Sequence, residues 1–303
     1  MKALAFGVMM YLSLASVQAR QIITIVYPFP NESITNIYRL MAAEANRVQD
    51  KYTFVVDIKP GAGGSIAANH VLNTPNTVLA HTTAFFVRPN VFPRESYDIT
   101  HFRSQYVLCQ APMAVTSSKY RSWSEVPRRG AVTIGTSGLG VTSHLVSLVL
   151  AETVTNLEIV PFKSTTEAMA SMMGGFIDLH IGFISEIEQW RNPTGTADRK
   201  INILGITGPR TVAQNQPLAN QGFSNMLSNM TLIVHVVIPA KLPAAQRREF
   251  YEIFDQAAQS NSVKTAMSND YCATQRVKIE SLDQFFETQV DTWRRLSSQV
   301  RLP

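Results

Sequence analysis

The sequence predicts an α/β fold built around mixed, mostly parallel sheets. Short β-branched runs alternate with longer segments of helical spacing, and turns rich in Gly, Pro or Asn separate them. With 303 residues, 45% apolar and 16% charged, the chain suits two domains of ordinary size or one large α/β domain.

The first residues, "MKALAFGVMMYLSLASVQARQ", join a positive Lys2, a nearly uncharged apolar stretch and small residues before Ala19. This pattern predicts a secretory signal peptide over residues 1–19, cleaved after about Ala19, and an exported protein. Beyond it, "QIITIVYPFP" predicts a first strand and "SITNIYRLMAAEANRVQDKY" a helix with Ile37, Leu40, Met41 and Ala45 on one face. "TFVVDIKP" and "GSIAANHVL" predict a second strand and helix, and "NTVLAHTTAFF" a third strand running into a turn. The strand series continues through "QYVLCQAPMAVTSS", "AVTIGTSG", "LEIVPF", "IDLHIGFI", "KINILGIT" and "MTLIVHVVIPA". Helices are expected at "VTSHLVSLVLAETV", "STTEAMASMMGG" and "PAAQRREFYEIFDQAAQS". A last amphipathic helix carries Leu282, Phe285, Phe286, Val290, Trp293 and Leu296 as a core stripe.

The formal charge is +5 and falls to about +4 once the leader is removed, a field that favours anions but is too weak to imply nucleic acid. Cys109 and Cys272 are the only cysteines. An exported chain can bridge them, and the sequence leaves open whether it does. Six scattered histidines and two cysteines offer no metal-ligand spacing, so no metal or cofactor is expected.

In open α/β sheets ligands collect at the carboxyl ends of strands, where loops lead into helix N-termini. Four such loops are polar. "PGAGGS" (Gly61, Ala62, Gly63, Gly64) and "TIGTSGLGVTSHL" (Thr136, Ser137, Gly138) each lead from a strand into a helix whose free amides and dipole favour an anion. "YPFPNESITN" adds Asn31, Ser33, Thr35 and Asn36, which can cap the following helix, and "HTTAFF" adds Thr82 and Thr83. Nucleotide motifs do not fit: no lysine follows Gly64, and Ile66 stands where a dinucleotide fingerprint needs glycine. A serine nucleophile elbow would need glycine at position 139, which is Leu139, and no triad spacing supports it.

"PFPNESITN", "KPGAGGSIAANHV", "IGTSGLGVTSHL", "IVPFKSTTEAMASMMGGFIDLHIG" and "VIPAKLPAAQRREF" resemble, in order, the landmarks of the periplasmic solute-binding proteins of tripartite tricarboxylate transporters, the Bug or TctC-like receptors. The resemblance implies a two-lobed, Venus-flytrap fold of the type II periplasmic-binding class. Lobe one is expected over residues 20–106 and 230–303, lobe two over residues 107–229, with "QYVLCQAP" and "LIVHVVIP" as crossings. It further implies a monomer that captures a small carboxylated solute and delivers it to a membrane permease of large and small subunits. By position, Asn31, Ser33, Asn36, Gly61 to Gly64, Thr82 and Thr83 would bind from lobe one. Thr136, Ser137, Gly138, Gly182 and Phe183 would bind from lobe two. The chain differs from the family pattern in having Glu32 and Ser33 for a glycine pair, Asn36 for aspartate, "PNTVL" for a longer turn, and Gly182 for a second aspartate. The alternatives are a ligand-sensing receptor that signals through a sensor protein, and a periplasmic hydrolase, for which no base and nucleophile are spaced to meet.

Overall fold

The computed structural model describes residues 19–30, 32–191 and 201–300 of the chain. Asn31 and residues 1–18, nearly all of the expected signal peptide, lie outside the described residues.

The first sheet is assembled from β1 (Gln21–Tyr27), β2 (Tyr52–Ile58), β3 (Thr77–Thr82), β4 (Phe102–Ala111), β10 (Leu232–Pro239) and β11 (Ala273–Thr274), in the order β11-β4-β10-β3-β1-β2. The second takes β5 (Met113–Ser117), β6 (Val132–Thr136), β7 (Leu157–Pro161), β8 (Leu179–Phe183) and β9 (Asn202–Ile206), in the order β7-β6-β8-β5-β9. Strands β1, β2 and β3 are parallel, as are β6, β7 and β8, while β10 runs antiparallel to β3 and β4, and β5 antiparallel to β8 and β9. Parallel strands put their carboxyl ends, and the loops that follow them, at one edge of each sheet. The mixed α/β prediction holds.

Helices α1 (Glu32–Arg47), α2 (Ser65–Asn73), α3 (Ala84–Val91), α7 (Ala244–Ala258), α8 (Asn261–Asn269) and α9 (Leu282–Ser298) serve the first sheet, and α4 (Thr142–Ala151), α5 (Thr165–Met173) and α6 (Ile184–Arg191) the second. Helix α1 buries Ile34, Ile37, Tyr38, Met41 and Ala45 at three- and four-residue spacing, leaving Asn36 and Arg39 outside. The Tyr38 hydroxyl donates to the carbonyls of His81 (3.0 Å) and His235 (2.9 Å), pinning α1 across β3 and β10. The stripe of α9 packs as expected, with Leu282, Phe286, Trp293 and Leu296 buried.

Two features depart from the sequence pattern. The run "QYVLCQAPMAVTSS" is not one strand: Pro112, which has no N–H for a ladder, separates β4 in the first sheet from β5 in the second. Helix α3 was hidden because Ala84, Phe85, Phe86, Val87, Arg88 and Val91 are all buried, so no polar face marks a helical period. The chain leaves the first sheet after Ala111 and rejoins it at Leu232. Cys109 and Cys272 form a disulfide (Cα–Cα 5.3 Å) that ties the two-residue β11 to β4. Among the described residues no helix is long and apolar enough to cross a membrane, and no cluster of metal-ligating side chains occurs.

Candidate functional site

A cavity of about 90 Å³ lies between the carboxyl ends of the two sheets. Tyr27, Phe29, Pro30, Ile34, Thr82, Ala84 and Leu232 line it from the first lobe. Ser137, Val141, Thr142, Ser143, Lys163, Thr165, Gly182, Phe183 and Glu186 line it from the second.

The second-lobe wall begins with the loop after β6. Its chain turns through Gly138 and Gly140, and α4 starts at Thr142 with Val141 as N-cap, a residue with no acceptor to cap the first-turn amides. Ser143 turns its hydroxyl back onto the loop, accepting from the Ser137 amide at 3.2 Å and pairing with the Ser137 hydroxyl at 3.1 Å. The Thr142 hydroxyl is buried and has no partner. Leaving such a group unmatched costs about 1–3 kcal/mol, which an acceptor oxygen in the cavity would remove. Uncapped amides, the positive end of the α4 dipole and three hydroxyls on one wall make a receiver for a carboxylate, an acceptor-only group.

The neighbouring helix starts differently. Ser164 caps α5, its hydroxyl accepting from the Glu167 amide at 3.2 Å, and Glu167 accepts from the Lys163 amide at 3.0 Å. The Glu167 amide is thus capped, and Thr165 in the same turn lines the cavity. Gly182 on β8 has a physical reason: a Cβ there would overlap the His180 ring, so the aspartate of the family pattern has no room.

Not every expected residue meets at this cavity. Thr82, Ser137, Gly182 and Phe183 line it. Asn36 is exposed on the far face of α1. Ser33 is engaged across the lobes: its hydroxyl pairs with that of Ser185 at 3.1 Å, and the pair lies against the Asp270 carboxylate. The Thr83 hydroxyl donates to the Thr231 carbonyl (3.0 Å) and accepts from the Ile233 amide (2.6 Å), fastening α3 to β10. Thr136 is fully buried and donates to the Gly138 carbonyl at 3.2 Å, a bond that shapes the loop.

The glycine loop also turns elsewhere. Ala62 and Gly63 line a separate open groove with Arg88, Phe92, Glu95, Leu139 and Lys163, and Gly61 packs against Ile66. Gly64 has φ +98° and lies so close to the His81 ring that a Cβ would overlap it. The loop's glycines are explained by close packing of chain against chain. Opposite, Arg88 donates to the Leu139 carbonyl at 3.0 Å, and its guanidinium stacks on Phe92.

Sequence reasoning missed Glu186, Thr142, Thr165 and Tyr27. The polar run "TSH" after "GLGV" marks a helix start without a cap, a usable signal for Thr142. Nothing local marks Glu186, whose position depends on how α6 is set against the first lobe.

Known proteins agree with this architecture. No family model matches the chain. The UPF0065 protein in the tcbD-tcbE intergenic region of Pseudomonas sp. (strain P51) is 22% identical over 297 residues, 92% of this chain and 86% of the relative. The periplasmic binding protein BugD superposes with a TM-score of 0.80 at 19% identity, over 92% of this chain and 97% of that one. R. palustris Rpa4515 with adipate gives 0.77 at 19% identity, over 93% and 98% of the two chains. MatC (Rpa3494) from Rhodopseudomonas palustris with bound malate gives 0.76 at 17% identity, over 91% and 99%. The fold is that of the two-lobed periplasmic binding proteins. Its structural neighbours include BugD and a TctC solute binding protein from Polaromonas (TM-score 0.66, 16% identity, 92% and 99% of the two chains), binding proteins rather than enzymes.

Proposed function

We propose that this chain is an extracytoplasmic solute-binding protein of the Bug type, exported by its leader, that captures a small carboxylate between its lobes without altering it. The observation that carries this is the α4 N-terminus. Its first turn has no side-chain cap, and Thr142, whose buried hydroxyl has no partner, lines an interlobe cavity with Ser137 and Ser143. Relatives of the same fold bound to adipate and malate support the ligand class. Mechanistically, the ligand carboxylate takes the directed donors of α4, and the lobes close on it to the extent that it prefers the closed arrangement. The closed form then docks on a permease of large and small subunits, the partner its family resemblance implies.

A panel of di- and tricarboxylates, aromatic acids and acidic amino acids, titrated by calorimetry and thermal shift, tests the proposal. A ligand at 100 times its dissociation constant stabilises the fold by about 2.7 kcal/mol. Thr142→Val, which keeps the side-chain shape, is expected to weaken that ligand about fivefold while leaving the free protein equally stable or more so. Silence across the whole panel, or turnover of an ester analogue, would overturn the reading.

A further inference from the structure

The cavity wall facing the first lobe carries an acid. Glu186, in the first turn of α6, lines the cavity beside Gly182 and Phe183. Its carboxylate accepts from the Thr165 hydroxyl and the Phe183 amide. No cation forms an ion pair with it among the described residues.

The ionisable groups around it come from three other segments. Asp270, at the end of α8, adds a like charge and is itself raised by burial, against the Ser33 and Ser185 hydroxyls. Tyr27, at the end of β1, is held far above its ordinary range by burial, then by Tyr38 and Glu186, and stays neutral. Lys163, ahead of α5, is exposed and shares the lining. Burial, reinforced by Asp270 and opposed by Thr165 and Phe183, pushes Glu186 up to about 7.

A dicarboxylate anchored at α4 brings its second acidic group into this same small space. Against an ionised Glu186, that group meets like-charge repulsion. Against a neutral Glu186 it meets an O–H donor. We propose that Glu186 is a specificity-determining residue of the cleft, holding the second carboxylate of a dicarboxylate as a protonated donor, so that a proton is taken up with the ligand wherever the free residue is ionised. This rests on the carboxylate reading of the cleft. The balance is simple: ionised protein, dianionic ligand and one proton give a complex in which Glu186 is neutral. Its neutral fraction falls from about nine-tenths at pH 6 to about one-tenth at pH 8, so apparent affinity falls about tenfold.

The experiment is calorimetric titration of the wild-type protein with succinate, malate and adipate at pH 6, 7 and 8, in buffers of different ionisation enthalpy. Propionate serves as the single-carboxylate control. The expected result is about tenfold weaker dicarboxylate binding at pH 8 than at pH 6, uptake of close to one proton at pH 8, and no such dependence for propionate. Glu186→Gln, a donor at every pH, is expected to flatten the profile, and Glu186→Leu to bind weakly throughout. If a variant fails to fold, the wild-type proton count alone decides. A flat wild-type profile, or affinity that rises with pH and favours aspartate over succinate, overturns the proposal. If no carboxylate binds at any pH, the reading of the cleft itself falls, and this proposal with it.

Discussion

The guanidinium of Arg88 donates to the main-chain carbonyl of Leu139 at 3.0 Å, tying a first-lobe helix to the second-lobe loop that precedes α4. Gly140 makes the approach possible: with φ +69°, a Cβ there would stand 2.6 Å from the Phe92 ring and 2.9 Å from Arg88 Nη1. With Ser33 and Ser185 near α6, this contact holds the lobes together at a second, separate point.

Arg88→Met keeps the aliphatic stem over Phe92 and deletes the charged donor. Hydrogen bonds from charged groups contribute about 1.5–3 kcal/mol, enough to shift an open–closed balance at least tenfold. Small-angle scattering of the ligand-free variant should give a larger radius of gyration than wild type, with unchanged circular dichroism. Identical scattering curves would count against a closing role.

Gly64→Ala places a Cβ against the His81 ring at a positive φ. Left-handed backbone costs about 1–2 kcal/mol for a non-glycine residue, and overpacking about 1–3 more. Urea denaturation should therefore show a loss of about 3 kcal/mol. A stable variant that merely lost ligand affinity would instead return this loop to the binding site.

The Cys109–Cys272 bridge closes a loop of 163 residues. Loop-closure entropy and measured cases together give about 2–5 kcal/mol for such a link. Reduction, or Cys109→Ala with Cys272→Ala, should lower the urea midpoint without changing the slope by more than the added chain freedom requires. Unchanged midpoints would show that β11 needs no tether.

Four buried histidines make the fold acid-sensitive; burial lowers His144 as well, and the other three are shifted furthest. Burial lowers His81 and His180 to about 3 and His235 to about 4, with the His235 charge adding to the effect on His81. Unfolded, each takes a proton below about pH 6.5; folded, each stays neutral. Stability is therefore complete above pH 6.5 and falls as pH drops toward 4, by about 1.4 kcal/mol per unit for each histidine. Glu186, raised when folded, works in the opposite direction between about 7 and 4.5 and offsets one of them. The net loss from pH 6.5 to 5 should be about 4 kcal/mol in urea titrations, roughly halved in His180→Gln. A level profile would contradict the burial of these rings.

Much of the fold was legible because local patterns repeat what packing demands. Alternation of β-branched runs with helical spacing located β1, β2, β6, β7, β8 and β10, and the apolar stripe of α9 is the stripe that is buried. Helix α3 escaped because a segment buried all round has no face to betray its period. Of the loop residues, Ser137, Gly182 and Thr82 line the cavity, while Thr83 and Ser33 serve partners far off in sequence and Thr136 bonds within its own loop.

The sequence by itself determined the α/β class, the order of most elements, and the loops at which helices begin, because turns, caps and periodicity are local. Only the tertiary structure decided which loops share a cavity, that Cys109 reaches Cys272, that the glycine loop packs against His81, and that Glu186 lines the same cavity as the start of α4. Those outcomes depend on contacts between segments well separated along the chain, or on how the two lobes are set against one another, and no short-range pattern carries that information.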